Sequence, residues 1–200
     1  MKGLLLLSGG FDSPIAGCLM KERGMEIIAL NFSYELLTDN QSTLKSKEIA
    51  EKLGFEFLTA DISEELMEIS KKCKRDLYFV LMKRLFLKIA GKVSRGKGCD
   101  FIITGDNLAQ VSSQTLQNLV VVTQATEIPI LRPLIGFDKQ EIIDIANQIG
   151  TYEISKGKEH CDILGPEHPE TKARLEEVLH EEEKLEDLSS GILDKLKEKI

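Results

Sequence analysis

The sequence predicts an α/β fold, a doubly wound parallel sheet with crossover helices, and three observations carry the expectation. Short apolar runs alternate with stretches of helical periodicity along the 200-residue chain, which is the pattern of βαβ units. The first run, residues 4–7, consists of leucines without a polar break, as suits a strand covered on both faces. The residues that follow the runs are glycines, serines, asparagines and aspartates, the composition of ligand-binding loops at the carboxyl ends of strands.

Strands are expected at residues 4–7, 27–32, 56–60, 101–104 and 128–131. Pro14 is placed to open a helix reaching about Arg23, because proline is tolerated in a first helical turn. Residues 42–53 read as a second helix, 64–95 as helical material broken near Cys73, and 139–150 as a helix ended by Gly150. Residues 174–200 show apolar positions three and four apart, an amphipathic helical tail interrupted at 189–191. The expected organisation is one domain over 1–173 with the tail as its C-terminal part.

The chemistry concentrates where the first strand ends. Ser8, Gly9, Gly10, Phe11, Asp12 and Ser13 form a loop whose glycines permit positive φ, and the helix behind it presents free N–H groups and a positive dipole end. Such a cradle takes phosphate. A Walker A loop would follow its glycines with a lysine; here Asp12 stands instead, and a carboxylate beside phosphate calls for a cation such as Mg²⁺ between them. The alternative is an ordinary strand-to-helix turn capped by Asp12 or Ser13. By the same strand-end rule, Asn31 and Phe32 are placed to meet an adenosine, and Gly105, Asp106 and Asn107 to approach the phosphates or metal. Phe32 reads equally well as a core aromatic.

The loop resembles the PP-loop of the N-type ATP pyrophosphatases, which cleave ATP between the α- and β-phosphates to adenylate an acceptor. The segments TGDNLAQVSSQTLQNL (104–119), PILRPLIGFDKQEIIDIANQIGTYEIS (129–155) and EHCDILGPEHPETKA (159–173) narrow the resemblance to the tRNA 4-thiouridine synthetase family, also called the thiamine biosynthesis protein ThiI family. That resemblance implies an adenine nucleotide alpha hydrolase-like fold and ATP-dependent sulfur transfer to a tRNA uridine, with ATP and Mg²⁺ as cofactors. It extends the site to Gln114 beside Gln110, Ser112 and Ser113. It makes Lys139 a group that reaches the α-phosphate, and Cys161 the thiol that carries sulfur. Relatives ordinarily carry an RNA-binding THUMP region before the loop and many a rhodanese domain after it; neither is expected within these residues. The partners implied are tRNA, a sulfur donor (a cysteine desulfurase persulfide, or sulfide), a separate RNA-binding protein and a second copy of the chain.

Composition bounds the rest. The four cysteines lack a disulfide framework, and no apolar run approaches twenty residues, so a protein of the reducing cytoplasm with no membrane partner is expected. The net charge of −7 disfavours nucleic acid on average. It hides a basic stretch from Lys71 to Lys97, opposed only by Asp76, in which Lys83 and Arg84 are candidates to face tRNA; a solvated surface is the alternative. Cys161 lies beside His160, whose imidazolium would lower a thiol pKa. A small-molecule adenylating enzyme and a non-catalytic ATP-binding module are the rival readings.

Overall fold

The structure, a computed structural model, describes residues 1–37, 40–108, 114–157, 164–192 and 196–198. Parallel strands β1 (Lys2–Leu6), β2 (Glu26–Ser33), β3 (Glu56–Asp61), β4 (Phe101–Ile103) and β5 (Ile130–Leu131) lie in the order β5-β4-β1-β2-β3. Strand order therefore reverses between β1 and β4, the point at which such sheets open a crevice for ligands. A sixth strand, β6 (Lys197–Glu198), pairs antiparallel with β3 at the sheet edge.

The leucine run is explained by what covers it. Leu4 faces a core made by α3 (Ser63–Lys72), α4 (Tyr78–Lys97), α5 (Leu116–Thr123) and α8 (Leu175–Glu182), whereas Leu5 faces a second core made by α1 (Asp12–Glu22), α2 (Gln41–Leu53), α6 (Lys139–Gln148) and α7 (Tyr152–Ser155). Both leucines are fully buried, and each face of the sheet has its own helical layer. Left-handed glycines end α2 at Gly54 and α4 at Gly98, where a side chain would be strained.

The helical material expected over 64–95 breaks at Cys73, which is extended, and a 3-10 turn (Arg75–Leu77) leads into α4. The first helix begins two residues earlier than expected, at Asp12. In the tail, only α8 is helical before residues 183–191, which run as turns and bends, and Lys197–Glu198 pairs as strand. The expected amphipathic helix is corrected there: Leu185 and Leu188 reach the core from the bends and turns that interrupt it over 183–191 instead of from one helical stripe. Among the described residues, no helix is long and apolar enough to cross a membrane.

Candidate nucleotide site

The loop after β1 is closed by its own serines. The Ser8 N–H donates to the Ser13 hydroxyl at 2.9 Å, and the two hydroxyls are 3.1 Å apart. The residue before α1, Phe11, is itself helical in backbone and supplies no side-chain cap. Neither Asp12 nor Ser13 is the N-cap, and the positive dipole end of α1 follows directly on the loop.

One expectation about this loop is corrected. The described glycines with positive φ are Gly24, Gly54, Gly98, Gly150, Gly157 and Gly191, and Gly9 and Gly10 are not among them. Gly9 lies close to α2: a methyl group on it would stand 3.2 Å from Lys45 Cβ and 3.3 Å from the Ser42 carbonyl oxygen. The Gly10 carbonyl accepts a hydrogen bond from the buried Ser155 hydroxyl of α7 at 3.1 Å. Phe11 packs against Tyr152 of the same short helix, ring centroids 5.4 Å apart. The loop is thus held between α2 and α7.

The crest after β4 presses on the other side. Gly105 lies on the start of α1 so closely that a methyl group there would be 2.7 Å from the Ser13 nitrogen. Asp106 is buried and bound on both oxygens: Lys83 of α4 donates at 2.6 Å, the Thr104 hydroxyl at 2.8 Å and Arg132 Nε at 3.2 Å. Burial alone would push this carboxyl up, but the Lys83 ammonium, Thr104 and Arg132 outweigh it and hold the group below the ordinary carboxylate range. Asp106 is thereby the counter-ion that seats Lys83 and Arg132 at the crest. Asn107 is buried and donates to the Phe137 carbonyl at 2.7 Å, tying the approach to α6 against the crest.

The remaining candidates divide. Asn31 sits beneath the loop, its amide donating to the Leu7 carbonyl at 3.0 Å and the Ser46 hydroxyl at 3.1 Å, while its carbonyl oxygen is buried without a partner. Phe32 points to the opposite face and stacks on Phe86 of α4 at 4.4 Å; its side chain is a core aromatic and does not meet a nucleotide. The Gln114 side-chain oxygen is buried and has no partner. Lys139 is exposed at the first position of α6, where Asp138 and Glu141 form a capping box that offsets the misplaced cation. Gln110, Ser112, Ser113, His160 and Cys161 lie outside the described residues. The other thiols, Cys18, Cys73 and Cys99, are each pushed up by burial, the direction opposite to that of an activated thiol.

The tRNA-facing assignment of Lys83 and Arg84 is corrected. Lys83 turns inward to Asp106, and Arg84 is 2 % exposed, bonded to both Glu182 oxygens at 2.9 and 3.0 Å and to the Val121 carbonyl. Much of the basic stretch is neutralised by the tail: Lys74 pairs with Glu177, Lys88 with Glu182 and Lys92 with Asp187. Sequence reasoning missed Ser155, Lys45 and the placement of Arg132 against Asp106 and Thr123. Among the described residues no group of three or more His, Cys, Asp or Glu gathers to hold a metal. Asp12 opens α1 at the end of the loop, and a single carboxylate together with substrate phosphates is a donor set that Mg²⁺ accepts.

A serine-closed glycine loop and a second glycine-bearing crest at the switch point of a parallel sheet define an α/β protein with a PP-loop-type fold. The chain belongs to the family described as thiamine biosynthesis protein (ThiI), whose pattern matches residues 1–187. It is 41% identical over 192 residues to a probable tRNA sulfurtransferase of Caldanaerobacter subterraneus subsp. tengcongensis, covering 92% of this chain and 50% of that protein. A crystal structure of a 4-thiouridine synthetase in complex with RNA and bound ATP superposes with TM-score 0.92 at 31% identity, over 98% of this chain and 54% of that one. An NMN synthetase from Francisella tularensis shares the fold alone, at TM-score 0.59 and 16% identity over 96% of this chain and 81% of that one. The chain spans about half the length of the curated relatives it matches.

Proposed function

We propose that the chain is the ATP-activating unit of a tRNA sulfurtransferase: it adenylates a uridine carbonyl oxygen, and sulfur then displaces AMP to give 4-thiouridine. The observation that carries the reading is the seating of Gly105 on Asp12–Ser13, which joins the loop and the crest into one cradle at the strand-order reversal. The family membership and the probable tRNA sulfurtransferase among its relatives support the same reading. A pyrimidine oxygen leaves poorly and AMP leaves well, so cleaving ATP between its α- and β-phosphates makes the substitution feasible.

In this mechanism the N–H groups of the loop and of the α1 start bind the phosphates. Asp12 would hold Mg²⁺ against them, and that ion would supply charge neutralisation for the departing pyrophosphate. Lys139 reaches the α-phosphate and stabilises charge as the uridine oxygen attacks. Lys83 and Arg132, seated by Asp106, add positive potential from the crest. Asn31 and Phe32 border the adenosine through their backbone at the β2 end, and Gln114 borders the nucleotide from the crest side. Cys161 carries the sulfur as a persulfide received from a cysteine desulfurase, its terminal sulfur displacing AMP at C4 and an external thiol then reducing the S–S bond to release 4-thiouridine and the Cys161 thiol, or it assists sulfide, which needs no reductant. Residues 1–173 form the PP-loop domain and 174–200 its tail. The partners are tRNA, the sulfur donor, a separate RNA-binding protein and a second copy of the chain, in the cytoplasm.

Pyrophosphate release from ATP, measured with and without tRNA, tests the reading. Release that rises with tRNA is the expected result. Release indifferent to tRNA would move the acceptor to a small molecule or carrier protein, and no release would leave only an ATP-binding module.

A further inference from the structure

The phosphate loop lacks a lysine of its own, and α2 brings one to it. The Lys45 stem lies along Gly9, with Cβ and Cδ at 3.2 and 3.5 Å from where a methyl group on Gly9 would stand. Its ammonium donates to the Lys156 carbonyl at 3.0 Å, next to Gly157, where an added methyl group would be 3.0 Å from Nζ. The same strap is pinned to the loop one residue earlier, by Ser155 on the Gly10 carbonyl. Lys45 pairs with no carboxylate among the described residues, and a carbonyl bond uses one of its three N–H donors. On the opposite side of the loop, Lys83 and Arg132 are both engaged by Asp106.

We propose that Lys45 is a phosphate-binding residue of this site, its ammonium holding the pyrophosphate end of ATP and the pyrophosphate that leaves. The inference rests on the ATP reading above. Sidedness selects that end of the nucleotide. The crest Gly105–Asn107 presses on the Asp12–Ser13 side, and there Asn107 ties down the segment leading to Lys139, the residue proposed for the α-phosphate. Lys45 flanks Gly9 from the other side, where the β- and γ-phosphates fall once the α-phosphate faces Lys139. Moving the ammonium from a neutral carbonyl to a phosphate oxygen exchanges an ordinary hydrogen bond for a charge-assisted one, roughly twice as strong. The move needs only rotation of a flexible stem already lying beside the cradle. The lysine absent from the loop sequence is thus supplied in space by the next helix on the same face of the sheet.

Equilibrium binding of inorganic pyrophosphate and of AMP to the full chain and its variants tests this. Lys45→Gln should weaken pyrophosphate binding by at least about tenfold and change AMP binding by less than about twofold. Lys45→Arg, which keeps the charge, should recover most of the pyrophosphate affinity. Unchanged pyrophosphate affinity in Lys45→Gln, with ATP and AMP still bound, overturns the role of Lys45 alone. A parallel loss of both ligands also overturns it, because that marks a strap loosened from the loop. If the unaltered chain binds none of ATP, AMP and pyrophosphate, the ATP reading falls and this inference with it.

Discussion

Gly105→Ala probes the join between loop and crest. The added methyl group would stand 2.7 Å from the Ser13 nitrogen and 2.9 Å from the Asp12 carbonyl carbon and Ser13 Cα. All three are backbone atoms, so no rotamer relieves the clash, and the crest and the start of α1 must part by about 0.7 Å to reach ordinary contact near 3.4 Å. Overpacking of this kind costs about 1–3 kcal/mol, within the roughly 5–15 kcal/mol that a domain has in hand. The variant should fold. A misplacement approaching 1 Å between reacting groups costs about 100-fold in rate, so tRNA-dependent pyrophosphate release at saturating ATP should fall by about that factor. Gly136→Ala is the control, since a methyl group there meets no atom within 4 Å; it should release pyrophosphate at the unaltered rate. Full turnover by Gly105→Ala, with an unchanged thermal melt, would refute the claim that loop and crest form one site.

Asp106→Asn removes the carboxylate shared by Lys83 and Arg132 and should destabilise the chain by about 2–4 kcal/mol, a little under the usual cost of stranding a buried charge because both cations are partly hydrated. Asp106 and Glu182 are both held below the ordinary carboxylate range in the folded chain. Each contributes stability present above its unfolded pKa, near 4, and lost as pH falls through the folded value; chemical denaturation should therefore show stability flat at neutral pH and falling in acid, less steeply in Asp106→Asn. Arg84→Met should shift the denaturation midpoint downward, with about 3–5 kcal/mol lost when Glu182 keeps its charge without its main partner, and should leave the tRNA affinity of the remaining folded protein unchanged. Cys161→Ser should still release pyrophosphate yet form no thiolated product with a persulfide donor, because activation and sulfur delivery are separate steps. If it thiolates normally while Cys73→Ser or Cys99→Ser does not, the wrong thiol has been named.

The sheet was legible because burial on two faces leaves a local mark. Leu4 and Leu5 enter different cores, so both must be apolar, and the run shows it. The two glycine-bearing loops also left a local mark, although for Gly9 the reason is its closeness to α2 and not a positive φ, and at Gly105 a backbone contact of 2.7 Å leaves no room for a side chain. Alternation along β2 also held information that was not used: Phe32 shares a face with Leu30, and both enter the core under α4, whereas Asn31 takes the other face. Partnerships across the chain left no such mark. Ser155 meets Gly10 across 145 positions, and Arg84 meets Glu182 across 98. A basic stretch read without the acidic tail that folds onto it looks like an RNA surface, and a serine looks like any other serine until the backbone carbonyl it holds is known. The last strand was hidden because two residues pairing at an edge need no pattern of their own.

The position at which ATP is cut bears most directly on the proposed role of the loop. The chain, ATP labelled at the α-phosphate, tRNA and sulfide are incubated together, and the labelled products are separated. The account predicts label in AMP, pyrophosphate in equal amount and 4-thiouridine in the tRNA, all lost together in Asp12→Asn. Label in ADP with release of inorganic phosphate would contradict it.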